Sequence, residues 1–142
     1  MQLNGNSTNV RIVNYLSHRN DFFLDSNIII YSYSNEYEYL RELIISESCI
    51  LSEISRVEVL GYHGLKKEEE KYFKDIFEYA PVILPNQDIF DRAIEIRKKC
   101  NLKLGDSLIA ATASLHGLEI YTRNLSDFKR VEGLKCVNPT HR

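Results

Sequence analysis

Four carboxylates in this 142-residue chain fall where the surrounding pattern gives a charge something to do. Asp25 ends the apolar run Phe22-Phe23-Leu24, as a residue does at the C-terminal end of a buried strand. Asp106 follows Gly105 and opens an alanine-rich helix, while Asp127 comes soon after a second apolar run, Leu118 to Thr122. Glu58 falls inside the apolar stripe Ile54, Val57, Gly61, Leu65 of its own helix, where a charge requires a partner. The bases close in sequence are Arg56, whose spacing turns it off the Glu58 face, Lys103, Arg123, Lys129 and Arg130. None serves all four acids, so the natural counter-charge is a hard divalent cation bound through oxygen, Mg2+ or Mn2+. Three of the acids also have an ordinary reading: Asp106 as a helix cap, Asp127 as a loop residue, Glu58 as part of a solvent face.

Convergence separates the two readings, and it depends on the elements that carry the acids. The stretch 1–21 is rich in Asn and Ser, with one weakly helical piece from Val10 to Leu16. After the first strand, a helical stretch presents Tyr37, Leu40 and Ile44 on one face, and Cys49-Ile50-Leu51 forms a second strand. Ser52 caps the helix of Glu58, and Lys66 to Tyr79 makes another with Tyr72, Phe73, Ile76 and Phe77 inward. Pro81 to Pro85 is a strand between prolines, and Asn86 caps a long helix with Ile89, Ala93, Ile96 and Cys100 in line. The helix Asp106 to His116 stops at Gly117, Leu118 to Thr122 is the next strand, and Leu134 to Val137 the last. Repeated strand and helix predict an α/β fold, a three-layer α/β/α sandwich around a central, mainly parallel sheet. Such sheets gather ligands at the C-terminal strand ends, which would bring Asp25, Asp106 and Asp127 together with Glu58 leaning in.

Composition narrows the function classes. At 44% hydrophobic and 27% charged residues the chain is an ordinary single globular domain, which excludes disordered and low-complexity classes. Eighteen Lys and Arg against twenty Asp and Glu remove the global footprint of a strongly basic nucleic-acid binder, so any such partner is held by a local patch. No apolar run approaches a membrane span, and the first basic residue is Arg11, so neither insertion nor a secretory leader is expected. Cys49, Cys100 and Cys136 are an odd set with no metal or redox spacing, which places the chain in the reducing cytoplasm.

The segments Phe23 to Tyr31, Ser52 to Glu58, Leu104 to Ala113 and Tyr121 to Phe128 resemble the motifs of PIN-domain ribonucleases, specifically the VapC-like toxins of type II toxin-antitoxin pairs. The likeness runs in order from Phe22 to about Pro139, and the last two segments are its specific part. It implies a PIN-like nuclease domain over 22–142, with 1–21 as an N-terminal extension of no assigned role. Asp25, Glu58 and Asp106 take the family's metal-binding positions, Asp127 is the fourth acid and Asn124 a polar neighbour. Ser26 stands where Thr is commoner and keeps the hydroxyl. The resemblance further implies Mg2+- or Mn2+-dependent hydrolysis of RNA phosphodiesters, a homodimer, and a cognate antitoxin that inhibits by placing an arginine among the carboxylates.

Around the acids, Ser26 and Thr122 read either as hydroxyls that orient the carboxylates or as turn hydroxyls bonded to their own backbone. Lys99, Lys103 and Arg123 are the candidate RNA contacts, the alternative being a solvated charged face. Nothing pairs His63 with His116. The tyrosines Tyr31, Tyr33, Tyr37 and Tyr39 serve either as a surface joining two copies or as internal packing. Without metal, four neighbouring carboxylates repel, so their folded pKa values are expected above the unfolded values of roughly 3.9 to 4.3. An aspartyl-nucleophile phosphatase would need a second acid at position 27, where this chain has Asn27. Two readings stay beside the toxin: a non-toxin PIN nuclease, and a catalytically weak PIN module that binds RNA or a partner.

Overall fold

From Phe22 onward the computed structural model, which describes residues 20–140, alternates short buried strands with helices. Strand β1 (Phe22–Leu24) is followed by α1 (Ser26–Tyr31), a 3-10 turn (Asn35–Tyr37) and α2 (Leu40–Ile44). Next come β2 (Cys49–Ser52), α3 (Glu53–Leu60), α4 (Lys67–Tyr79) and β3 (Val82–Ile83). The chain continues through α5 (Gln87–Lys99), α6 (Leu104–His116), β4 (Glu119–Tyr121), α7 (Leu125–Phe128) and β5 (Cys136–Val137). The five strands lie in the order β3-β2-β1-β4-β5, and every pairing is parallel.

Side chains of successive strand residues point to opposite faces, and here each face has its own core. Phe23 and Ile50 enter the layer of α5, α6 and α7, packing with Ile89, Ile96, Ile109 and Phe128. Phe22, Leu24, Cys49 and Leu51 enter the opposite layer with Ile28, Leu40, Val59, Phe73 and Phe77. Both faces are covered, which is why the strands read as continuous apolar runs rather than as alternating ones. The long helices have their expected ends: Asn86 accepts from the Ile89 N–H (3.0 Å), and Gly117 closes α6 in the left-handed region at φ 64°. Chain direction reverses its lateral progress between β1 and β4, so the C-terminal ends of those two strands flank the crevice where doubly wound sheets place ligands.

Three expectations change. The stretch after β1 is three short pieces rather than one helix, because Ser32 donates to the Ile29 carbonyl (2.6 Å) and Ser34 caps the 3-10 turn, giving the backbone local partners that compete with a continued helix. The stripe Ile54, Val57, Gly61, Leu65 does not exist: α3 ends at Leu60, Ser55 and Val59 point inward, and Val57 is 63% exposed. Glu58 therefore lies on an exposed flank of α3, not within an apolar face. The helix of Asp106 opens two residues early, at Leu104, so Lys103 is the N-cap and Asp106 sits in the first turn. Of the two readings of the tyrosines, internal packing is seen, Tyr31 against Tyr37 (5.1 Å between centroids) and Tyr33 against Tyr72 (5.2 Å). The Val10 to Leu16 piece lies outside the described residues. Among the described residues no helix is long and apolar enough to cross a membrane.

Candidate active site

The register of β1 on β4 pairs Leu24 with Tyr121, and the Asp25 N–H donates to the Tyr121 carbonyl (3.0 Å). The next residue on each chain segment, Asp25 and Thr122, therefore stand side by side at the strand ends. Asp25 is 4% exposed and Thr122 fully buried, and the Thr122 hydroxyl donates to Asp25 Oδ2 (2.8 Å). Asp25 Oδ1 caps α1 by accepting from the Ser26 N–H (2.8 Å). Both readings of Thr122 find a bond here: its hydroxyl donates to the carboxylate, and its Oγ1 accepts from the Asn124 N–H two residues on (2.9 Å).

Glu58 reaches the same place from α3. Its Oε1 accepts from the Ser26 hydroxyl (2.5 Å), so Ser26 touches one acid through its backbone and another through its side chain. Asp106, half-buried in the first turn of α6, approaches from a third direction. Asn124 Nδ2 stands 3.5 Å from Asp106 Oδ2 and donates to Asp127 Oδ2 at 2.9 Å. Asp127 is also paired with Arg130 (2.9 Å), so this arginine neutralises an acid of the cleft rather than standing free beside Lys129. The i, i+3 spacing from Asp127 to Arg130 on a helical turn is the sequence signal for that pair.

Burial is the main reason the Asp25 carboxyl is pushed up to about 6 from its ordinary 3.8, with Asp106 and Glu58 repelling it further and the bonds from Thr122 and Ser26 pulling it down. Asp106 is raised too, first by burial, then by the charges of Glu58 and Asp127, with Lys103 opposing. The direction agrees with expectation at these two acids, but desolvation outweighs repulsion as its cause. These mutual effects place Asp25, Glu58, Asp106 and Asp127 in one electrostatic neighbourhood. The donor set is carboxylate oxygen supported by hydroxyl and amide groups, the hard chemistry that suits Mg2+ or Mn2+ and not a soft thiophilic ion. Among the described residues no group of three or more Asp, Glu, His or Cys side chains stands close enough together to hold a metal ion as it is.

The candidate RNA contacts separate. Lys103 is close enough to act on the charge of Asp106. Arg123 is exposed beside Thr122, its guanidinium 4.1 Å from the Tyr31 ring centroid and 3.4 Å from the Tyr37 hydroxyl, an aromatic support that sequence spacing does not reveal. Lys99 instead lines a surface depression on the flank of α5 with Arg92, Cys100 and Arg130. His63 is exposed after α3, and His116 lies at the far end of α6 from Asp106.

A family model described as PIN domain matches residues 22–134. Ribonuclease VapC1 of Rickettsia felis is 33% identical over 100 residues, which cover 69% of this chain and 69% of that protein. Among solved structures, a toxin-antitoxin complex from Klebsiella pneumoniae matches with TM-score 0.70 and 31% identity, covering 84% of this chain and 98% of that one. The crystal structure of VapBC2 from Rickettsia felis bound to a DNA fragment from their promoter matches with TM-score 0.68 and 25% identity, over 82% of this chain and 97% of that one.

Proposed function

The chain belongs to the PIN-domain family as a VapC-like ribonuclease, and from that premise we propose that Asp25, Glu58, Asp106 and Asp127 hold Mg2+ or Mn2+ and carry out hydrolysis of RNA phosphodiester bonds. The observation that carries the reading is the meeting of Asp25, Glu58 and Asp106 at the crevice between β1 and β4, from three separate elements. A bound divalent cation supplies an acidified water as nucleophile and offsets charge on the phosphate oxygens. The protein's part is orientation. Thr122 and the Ser26 N–H fix both oxygens of Asp25, the Ser26 hydroxyl fixes Glu58, and Asn124 ties Asp127 to the Asp106 side of the cleft. Lys103 and Arg123 offer cations to the flanking phosphates, with Arg123 pre-set on Tyr31.

The same acids suit a second ligand. A protein partner that inserts an arginine would satisfy carboxylates through bidentate bonds and displace a cation, which is how a cognate antitoxin would silence the cleft. That two matched structures are a toxin-antitoxin complex and VapBC2 on promoter DNA supports such a partner for this chain. We place the protein in the cytoplasm as a homodimer, where RNA and the antitoxin meet it. The test is RNA cleavage by purified protein with Mg2+ or Mn2+, in EDTA, and with Asp25→Asn. The expected result is cleavage that EDTA and the substitution each remove; full cleavage under either condition overturns the assignment. Growth arrest on expression, relieved by a neighbouring gene, supports the toxin role, whereas harmless expression of an active enzyme leaves a non-toxin nuclease.

A further inference from the structure

Gly105 is the second residue of α6, and a glycine inside a helix costs stability relative to alanine. No backbone need explains it, since the positive-φ glycines among the described residues are Gly117 and Gly133. Its surroundings do: a Cβ at position 105 would collide with Glu58 Oε2. Gly61 makes a useful contrast, because a Cβ there would strike the Val57 carbonyl oxygen (2.5 Å) on the rigid backbone, whereas at Gly105 it would strike the end of a flexible side chain. A methyl group at 105 would thus move Glu58 and leave the helix in place.

Glu58 has little else to hold it. It is exposed on the flank of α3, and the hydrogen bond that tethers it runs from the Ser26 hydroxyl to Oε1. The other oxygen lies over the bare backbone of α6 at Gly105, one residue before Asp106. Fixing a long exposed side chain loses rotamer freedom, so a specific resting place matters more here than for a buried residue. We propose that Gly105 is a positioning residue: its missing side chain leaves the seat in which the Glu58 carboxylate rests beside Asp106, and the cation affinity of the cleft depends on that seat. This rests on the metal-site reading above and adds the element that sets it.

The test is a cycle of four full-length proteins, wild type, Gly105→Ala, Glu58→Ala and the double variant, read by Mn2+ titration and by melting temperature in EDTA. Gly105→Ala should weaken Mn2+ binding about tenfold when Glu58 is present, as loss of a supporting contact does, and change nothing when residue 58 is alanine. In EDTA, Gly105→Ala should raise the melting temperature by about 2 °C in the Glu58→Ala protein through helix propensity, and by clearly less in the wild type, where it displaces Glu58 from Ser26. Equal effects of Gly105→Ala in both backgrounds on both readouts would overturn the proposal. So would a melting-temperature difference without any change in Mn2+ affinity, in a protein whose Glu58→Ala variant does lose affinity. If Glu58→Ala binds Mn2+ as wild type does, the metal role of Glu58 fails, while the melting cycle still reports whether Gly105 seats it.

Discussion

The floor of the cleft and its rim hold their acids by different means. On the floor, Asp25 and Thr122 are buried, placed by the pairing of β1 on β4, and bonded to each other at 2.8 Å. On the rim, Glu58 is exposed and Asp106 and Asp127 are half-buried, and they are placed by side-chain contacts with Ser26, Asn124 and Arg130. A strand end fixes a charge rigidly, at the cost of removing it from water, which is why the Asp25 carboxyl is pushed up to about 6. Helix-borne groups at the surface avoid most of that cost and keep freedom to adjust. Under the proposed metal role, Asp25 is the rigidly placed acid and the rim acids are the ones left free to adjust.

Charge removal at either region should have the largest effect. Asp25→Asn is expected to lower kcat/KM for Mg2+-dependent RNA cleavage by about 100-fold or more, and Asp106→Asn and Glu58→Gln also to near background, since each removes one negative charge from the proposed cation site. Full activity in a rim variant would show that only the floor is chemically essential.

The pH dependence of metal-free stability separates the regions next. With its pKa raised from 3.8 to about 6, Asp25 binds a proton in the folded state that the unfolded state has released across that window. Its contribution is present at low pH and is lost as pH rises through about 6; the raised Asp106 acts in the same direction. Denaturant melts in EDTA should show stability falling between about pH 4 and pH 7, by at most roughly 3 kcal/mol for Asp25, with Asp25→Asn flattening most of the slope. A wild-type slope unchanged in Asp25→Asn would assign the effect elsewhere.

Thr122→Val keeps shape and removes the donor to Asp25 Oδ2, so stability above pH 7 should fall by about 1–3 kcal/mol, and by less at pH 5, where Asp25 is protonated. The smallest effects belong to the outer rim. Asp127→Asn should cost about tenfold or less in cleavage, because Asn124 still ties the loop, and the effect is read from kcat/KM against the Asp106→Asn value.

How much of this was legible in the sequence follows the same division. The floor was readable in its strands: Phe22-Phe23-Leu24 followed by Asp25, and Leu118 to Thr122, announce buried strands by their apolar runs, while the β1–β4 adjacency and register that set Asp25 beside Thr122 are not written in either run. The rim was readable only in part. The apolar stripe that draws attention to Glu58 runs through Val57, which is 63% exposed, because a helix of eight residues is too short for periodicity to fix its face. The actual contacts of Glu58, to Ser26 and over Gly105, span separate elements that spacing along one chain does not reveal. The breaks after α1 came from serine hydroxyls competing for backbone groups, a local effect that hydrophobic patterning does not register.

The central claim is that floor and rim together make one divalent-cation site, and the most direct test is the melting temperature of wild type and Asp106→Asn in EDTA and in millimolar Mg2+ or Mn2+. Wild type should gain about 5 °C or more once the ion is near a hundred times its dissociation constant, since an ion that binds only the folded state stabilises it by mass action. Asp106→Asn should melt higher than wild type in EDTA, where one half-buried repulsive charge is gone, and gain less from the ion. A wild type indifferent to every divalent ion, together with an Asp106→Asn protein clearly less stable in EDTA, would contradict the claim and leave Asp106 as a first-turn helix acid with no metal to share.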